Sequence, residues 1–179
     1  MPIKPSKNLD EICYPFIHET SYLCDYEVLT DELATLIGMA LSALPDEMIQ
    51  VIDDLDKLQP LAFHANGSIR GRLALTEQDL DWLKVRLNHY KSLIHDPIQG
   101  FVLPRGTAGV SYLHQARSVS KKAIRALVRV DQDGIQVPDL LPRFLNICCN
   151  FFFVLTQLLN QHAQVKEPRF ISLSYASKD

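Results

Sequence analysis

Glycine is scarce in this chain, seven among 179 residues, and none occurs before Gly38. Backbone N–H groups come close to a phosphate only where side chains are absent, so the N-terminal region holds no glycine-rich anion loop. The spacings of a P-loop, a GxSxG elbow, an HExxH zinc helix and an EF-hand are also missing. The four cysteines, Cys13, Cys24, Cys148 and Cys149, form no CxxC pair. Adjacent cysteines rarely bridge one another, and reduced core thiols are expected. Charge of one sign is lacking too: 18 basic against 21 acidic residues leave a net charge of −3, which argues against nucleic acid as a partner. The longest apolar run, from Ile147 to Leu159, is interrupted by Asn150, Thr156 and Gln157, so no membrane span is expected. The opening segment carries Lys4, Lys7, Asp10 and Glu11 without a sustained apolar stretch. No secretion signal is read there, and a cytoplasmic location is expected. His89 and His95 are six apart, off a common helix face, and no metal site is expected.

What is present is helical periodicity. Tyr22, Tyr26, Leu29, Leu33, Leu36, Ala40 and Leu44 step by fours and threes, the mark of one buried helical stripe. Met48, Val51, Ile52, Leu55 and Leu58 line a second helix, which Pro60 is expected to kink or end. Asn66-Gly67-Ser68 then reads as a loop. Thr76 with Asp79 marks a helix start, and Leu80, Leu83, Leu87, Tyr90 and Ile94 form its seam until Asp96-Pro97. A last helix after Pro138 carries Leu141, Phe144, Cys148, Phe151, Leu155, Leu158 and His162. Phe170 to Tyr175 alternates like a short strand. With the basic helix described next, these segments predict an all-α antiparallel bundle, with an irregular arm over residues 1–20, the bundle over 21–163 and a tail over 164–179.

The stretch from Phe101 to Arg125 organises the chain. Pro104, Gly106 and Gly109 shape a turn, and Thr107 is placed to cap the helix that follows. Tyr112, Ala116, Val119, Ala123, Leu127 and Val130 form its buried seam. Arg117, Lys121, Arg125 and Arg129 repeat every four residues and stack as a basic ridge beside that seam. By itself such a ridge reads as a solvated polar face; the apolar, aromatic turn before it suggests a ligand instead.

Phe101-Val-Leu-Pro-Arg-Gly-Thr107, followed by Leu113-His114-Gln-Ala-Arg117-Ser-Val-Ser-Lys121-Lys122-Ala-Ile124-Arg125, resembles the signature of the ATP:cob(I)alamin adenosyltransferases of the propanediol-utilisation type. The resemblance spans about residues 22 to 162 and includes Val28-Leu-Thr-Asp31-Glu-Leu33. It implies a five-helix bundle, a homotrimer with sites between subunits, and two substrates, cobalamin and ATP with Mg. It assigns Arg117 and Lys121 to phosphates and Asp31 to a salt bridge that orients Arg117 across the interface. Phe101 takes the lower corrin face, Asn146 the nucleotide and Phe153 an apolar corrin-facing position, although Phe153 reads equally well as core. His114 matches a family histidine with a structural role.

The chain also departs from that family. The N-terminal loop that wraps the ATP phosphates is missing. Lys121 replaces an arginine, Ile124 a glutamate, Arg105 the first glycine of the turn, Ile147 an arginine and Asn150 an aspartate. Two readings follow: an adenosyltransferase with an unusual nucleotide site, or a corrinoid-binding or structural paralogue without ATP chemistry. Asn146 and Asn150, four apart on an apolar helix, are expected to face a cavity or an interface.

Overall fold

The computed structural model describes residues 3–174. Five helices dominate it: α1 (Tyr22–Leu41), α2 (Ile49–Ser68), α3 (Glu77–Ser92), α4 (Ala108–Gln132) and α5 (Leu140–His162). Helix α4 sits centrally, packing most extensively against α1 on one side and α5 on the other. Helix α2 lies on α1, and α3 lies on α5. The all-α five-helix expectation is met, with one addition. Two-residue strands β1 (Phe101–Val102) and β2 (Arg169–Phe170) pair antiparallel, Phe101 opposite Phe170 and Val102 opposite Arg169. The strand anticipated at Phe170 to Tyr175 thus begins one residue earlier and is shorter, and Tyr175 lies outside the described residues.

Local signals place the helix starts. Ser21 caps α1 by accepting from the Leu23 N–H, and Thr107 caps α4 by accepting from that of Val110. Thr76 and Asp79 form a reciprocal capping box on α3. The seams are buried: Leu33, Leu55, Leu80, Leu83, Ala116, Ala123, Phe144 and Phe151 are all inaccessible to solvent. Burial of such a contiguous apolar set is the dominant favourable term in folding.

Some expectations need correction. Helix α2 does not end at Pro60, which lies exposed within it, and it continues through Asn66-Gly67-Ser68 in place of the expected loop. Tertiary partners hold that last turn. The Asn66 amide donates to the Glu27 carbonyl and to Thr30 Oγ1 at 2.9 Å, both on α1, while Ser68 Oγ donates to the His64 carbonyl and accepts from the Ala74 N–H. His162 closes α5 but points to solvent, where Nε2 lies 3.3 Å from Glu47. Cys13 is exposed, whereas Cys24, Cys148 and Cys149 are buried free thiols. Helix α5 is long and apolar enough to cross a membrane by length and composition alone, yet 56% of its most apolar window is buried within the bundle. Its contacts with α3 and α4 account for that character.

Candidate functional site

The turn between α3 and α4 is held from α5. Gln161 Oε1 accepts from the His95 N–H at 2.9 Å, and Gln157 Oε1 accepts from the Ile98 N–H at 3.0 Å. Asn160 Nδ2 donates to the Arg105 carbonyl at 2.8 Å. Three side chains of one helical end therefore read the backbone of an irregular connector, which satisfies polar groups that have no helix or sheet partner. Gly106 is required where that connector meets α4. A Cβ there would lie 2.4 Å from Val110 Cγ1 and 2.5 Å from Asn160 Oδ1. At the far end of this held turn Phe101 stands 68% exposed, with Leu103, Phe170 and Ile171 also exposed around it.

Arg117 is half-buried on α4, and its guanidinium lies over the Phe153 ring at 4.7 Å. The structure thus brings these two site residues together across the α4–α5 packing. A guanidinium held on an aromatic face is oriented yet keeps its N–H donors for an anion. Asn146 and Asn150 both face solvent on α5, and Asn146 Nδ2 donates back to the Pro142 carbonyl at 2.7 Å.

Lys121 lies elsewhere on α4. With Lys122, Arg125 and Arg129 it lines a hollow of about 670 Å³ between α4 and α1, opposite Glu19, Asp25 and Val28. Arg129 is itself steadied over the Tyr22 ring at 4.9 Å. Asp31 is exposed on α1 and lines a second hollow of about 450 Å³ with Tyr14, Glu27, Phe63 and Asn66. Ile17 and Val28 wall both hollows. Within one chain Asp31 makes no ion pair with Arg117 among the described residues.

The N-terminal arm that walls these hollows is anchored by residues the sequence did not single out. Arg70 bridges Glu19 at 2.5 Å and the buried Glu27 at 2.7 Å, and it stacks over the Phe16 ring at 4.2 Å. Burial, and then the Glu27 carboxylate beside it, pushes the Tyr14 phenol up to about 12. Only chain folding brings these groups together, so no spacing in the sequence could have shown them. His114 is likewise more enclosed than its motif suggested. Its Nε2 lies 3.0 Å from Oε1 of Glu167 without a well-aligned hydrogen bond, and burial depresses its pKa. Among the described residues no three His, Cys, Asp or Glu side chains gather into a group that could hold a metal.

This arrangement offers an exposed apolar, aromatic turn, a stacked arginine and a separate basic hollow, the last suited to a polyanion. The family model for cobalamin adenosyltransferase matches residues 25–159. A corrinoid adenosyltransferase of Bacillus subtilis is 25% identical over 147 residues, covering 78% of this chain and 75% of that protein. The Mycobacterium leprae corrinoid adenosyltransferase is 29% identical over 142 residues, covering 73% and 74%. The mouse protein of that name is 27% identical, with 77% of this chain covered and 60% of the mouse one. Among solved structures, a phenylalanine-to-alanine variant of the PduO-type ATP:corrinoid adenosyltransferase of Lactobacillus reuteri, complexed with cobalamin and ATP, superposes with a TM-score of 0.76 at 21% identity, covering 86% of this chain and 88% of that one. An arginine-to-lysine variant of the same enzyme, complexed with ATP, also gives 0.76, at 22% identity over 85% and 89%. The match of the family model over most of the bundle, on a fold shared with these enzymes, makes this chain a member of the cobalamin adenosyltransferase family.

Proposed function

We propose that this protein transfers the 5′-deoxyadenosyl group of ATP to cob(I)alamin in the cytoplasm, working as a homotrimer with its sites between subunits. Family membership over residues 25–159 carries this reading, and the retained Phe101, Arg117, Asp31 and Asn146 support it. The reduced cobalt of the substrate corrinoid is the nucleophile. It attacks the 5′ carbon of ATP, the carbon–oxygen bond to the α-phosphate breaks, and triphosphate leaves with the electron pair. The protein therefore supplies no base. Its work is to exclude water, align the two substrates and balance the charge on the leaving group.

Phe101, exposed at the tip of a turn held by α5, suits contact with the lower corrin face. Arg117, oriented on Phe153, and Lys121, among the cations of the basic hollow, suit the phosphates. Asn146 has a free carbonyl to offer a nucleotide while its amide is turned back to Pro142. Mg bound to the triphosphate would reduce its charge; the cations facing the α1–α4 hollow fit a polyanion that carries its own metal. The arm at residues 13–19 stands beside both Asp31 and Lys121, and we assign it the enclosing role of the missing glycine loop. An arginine-to-lysine variant of the Lactobacillus reuteri enzyme is known in complex with ATP, which is consistent with a lysine at position 121.

A second reading, a corrinoid-binding or structural protein without ATP chemistry, is favoured by one observation: no glycine precedes Gly38, so the N-terminal arm offers no glycine-rich cradle for a triphosphate. An anaerobic spectrum of the protein with cobalamin and a strong reductant, with and without ATP, decides between them. The expected result is ATP-dependent adenosylcobalamin, abolished by Arg117→Ala. Failure at saturating ATP removes the transferase reading. A four-coordinate Co(II) spectrum would then leave a corrinoid binder, and its absence a scaffold.

A further inference from the structure

The segment after α5 doubles back onto the Phe101 turn. Its reversal is built into the helix end: Gln164 adopts a left-handed backbone, φ 54°, and the Val165 N–H donates to the Asn160 carbonyl at 2.9 Å. The chain then runs beside the turn and ties to it at successive points. Pro168 O accepts from the Leu103 N–H at 2.9 Å, and β2 pairs with β1 so that Phe170 stands across from Phe101. Between these, Glu167 turns its side chain inward. Its carboxylate is 2% exposed, and Oε1 accepts from the Arg105 N–H at 3.2 Å while lying 3.0 Å from His114 Nε2 on α4. Oε2 is buried without a hydrogen-bond partner.

A buried carboxylate with half its capacity unused is costly, and replacing it by an apolar side chain would remove that cost. What the carboxylate supplies is position. It brings the strap, the Phe101 turn and the Arg117-bearing helix against one another at one point, while Asn160 holds the next peptide along through the Arg105 carbonyl. Arg105, held at both its N–H and its carbonyl, lies four residues from Phe101 and immediately before Gly106, where α4 is about to start.

We infer that Glu167 is a positioning residue for the transfer reaction, clamping the Phe101 turn to the start of α4 so that the aromatic ring is presented at a fixed height above the Arg117 helix. This rests on the adenosyltransferase reading for its catalytic consequence, though not for the clamp itself. Glu167 touches neither substrate in this scheme. It acts through the Arg105 peptide, and a small displacement of a group near the reacting centre is enough to slow a reaction roughly 10- to 100-fold.

Two measurements on the full-length protein separate the clamp from the reaction it serves. In Glu167→Ala, amide exchange at Leu103 and Arg105 should accelerate by at least about tenfold while α1 and α2 amides stay protected, since only the local ties are lost. Glu167→Gln keeps an acceptor for the Arg105 N–H and should restore most of that protection. In the anaerobic assay Glu167→Ala should lower kcat by roughly tenfold or more with KM for ATP within about twofold, and Glu167→Gln should recover most of the rate. Loss of the four-coordinate Co(II) spectrum in Glu167→Ala, with cobalamin still bound, would accompany it. Unchanged exchange at Leu103 and Arg105 in Glu167→Ala overturns the clamp whatever the activity. Faster exchange with kcat unchanged overturns the positioning role. If the unsubstituted protein shows no transfer, the adenosyltransferase reading and the catalytic role of Glu167 fall together, and the exchange data still decide the clamp.

Discussion

At the scale of single residues, the buried polar groups of this bundle make pH-dependent contributions whose sign can be worked out. His114 is 8% exposed. Desolvation lowers its pKa below the ordinary 6.5; Glu167 pulls the other way and the nearby Arg117 adds to the lowering. The unfolded chain therefore binds a proton near pH 6.5 that the folded chain refuses until lower pH. Stability is complete above that value and falls as pH drops toward the folded pKa. Urea unfolding at about pH 7.5 and about pH 5.5 should show a loss that His114→Gln reduces. Glu47 and Glu77, whose pKa values are held below 4.5 by hydrogen bonds, titrate outside this window. An equal loss in both proteins would assign the pH response to other groups. A second network, between α2 and α3, joins Asp54 to Arg86 Nε at 2.6 Å and to Tyr90 Oη at 2.5 Å. Asp54→Ala leaves Arg86 without its carboxylate in a half-buried setting and should cost about 2 to 3 kcal/mol in urea unfolding. A cost under about 0.5 kcal/mol would mean that water replaces the carboxylate.

Among the helices, what was legible in the sequence was whatever is encoded within one element. The stripes of α3 and α4, the Thr76–Asp79 box and the Thr107 cap all depend on residues within a few positions of each other, so periodicity revealed them. The end of α2 failed that test. Asn66-Gly67-Ser68 has the composition of a loop, but Asn66 bonds to α1 residues far away in sequence, and those bonds outweigh weak local propensity. The candidate site divides in the same way. Phe101, Arg117 and Lys121 were visible through motif and ridge, whereas Arg70, Glu27, Asn160 and Glu167 act through partners brought close by folding. Pro60 gives this scale its own prediction. It lies mid-helix on an exposed face and cannot donate to the Asp56 carbonyl. Pro60→Ala should restore that bond and raise stability by about 1 to 2 kcal/mol, less than the roughly 3 kcal/mol of the intrinsic scale because proline also restricts the unfolded chain. A lower denaturation midpoint in the alanine variant would mean that the helix is shaped around the proline.

For the whole molecule, the open question is how a site is completed from pieces that one chain holds apart. Asp31 lines one hollow on α1, Lys121 lines another, and Arg117 sits with Phe153 on the α4–α5 face. Asp31, Asn146, Asn150 and Phe101 are exposed, and α1 and α2 also present Val28, Met39 and Phe63 to solvent. Apolar and polar groups exposed together in this way fit a surface that a second copy covers. The proposed trimer gives sedimentation at three times the 20.3 kDa chain mass, but mass alone would not locate the site. Complementation does. Asp31→Ala and Arg117→Ala are each expected to be inactive as pure assemblies. If Asp31 of one subunit orients Arg117 of its neighbour, a mixed trimer contains interfaces where an intact Asp31 from the Arg117→Ala chain meets an intact Arg117 from the Asp31→Ala chain. Unfolding and refolding the two variants together should then recover a measurable fraction of the original activity, greatest near equal proportions. If both residues serve a site within one chain, every chain in the mixture lacks one of them and no ratio restores transfer. Recovery thus requires the shared interface, and its absence from verified mixed trimers would place both residues in the same subunit's site.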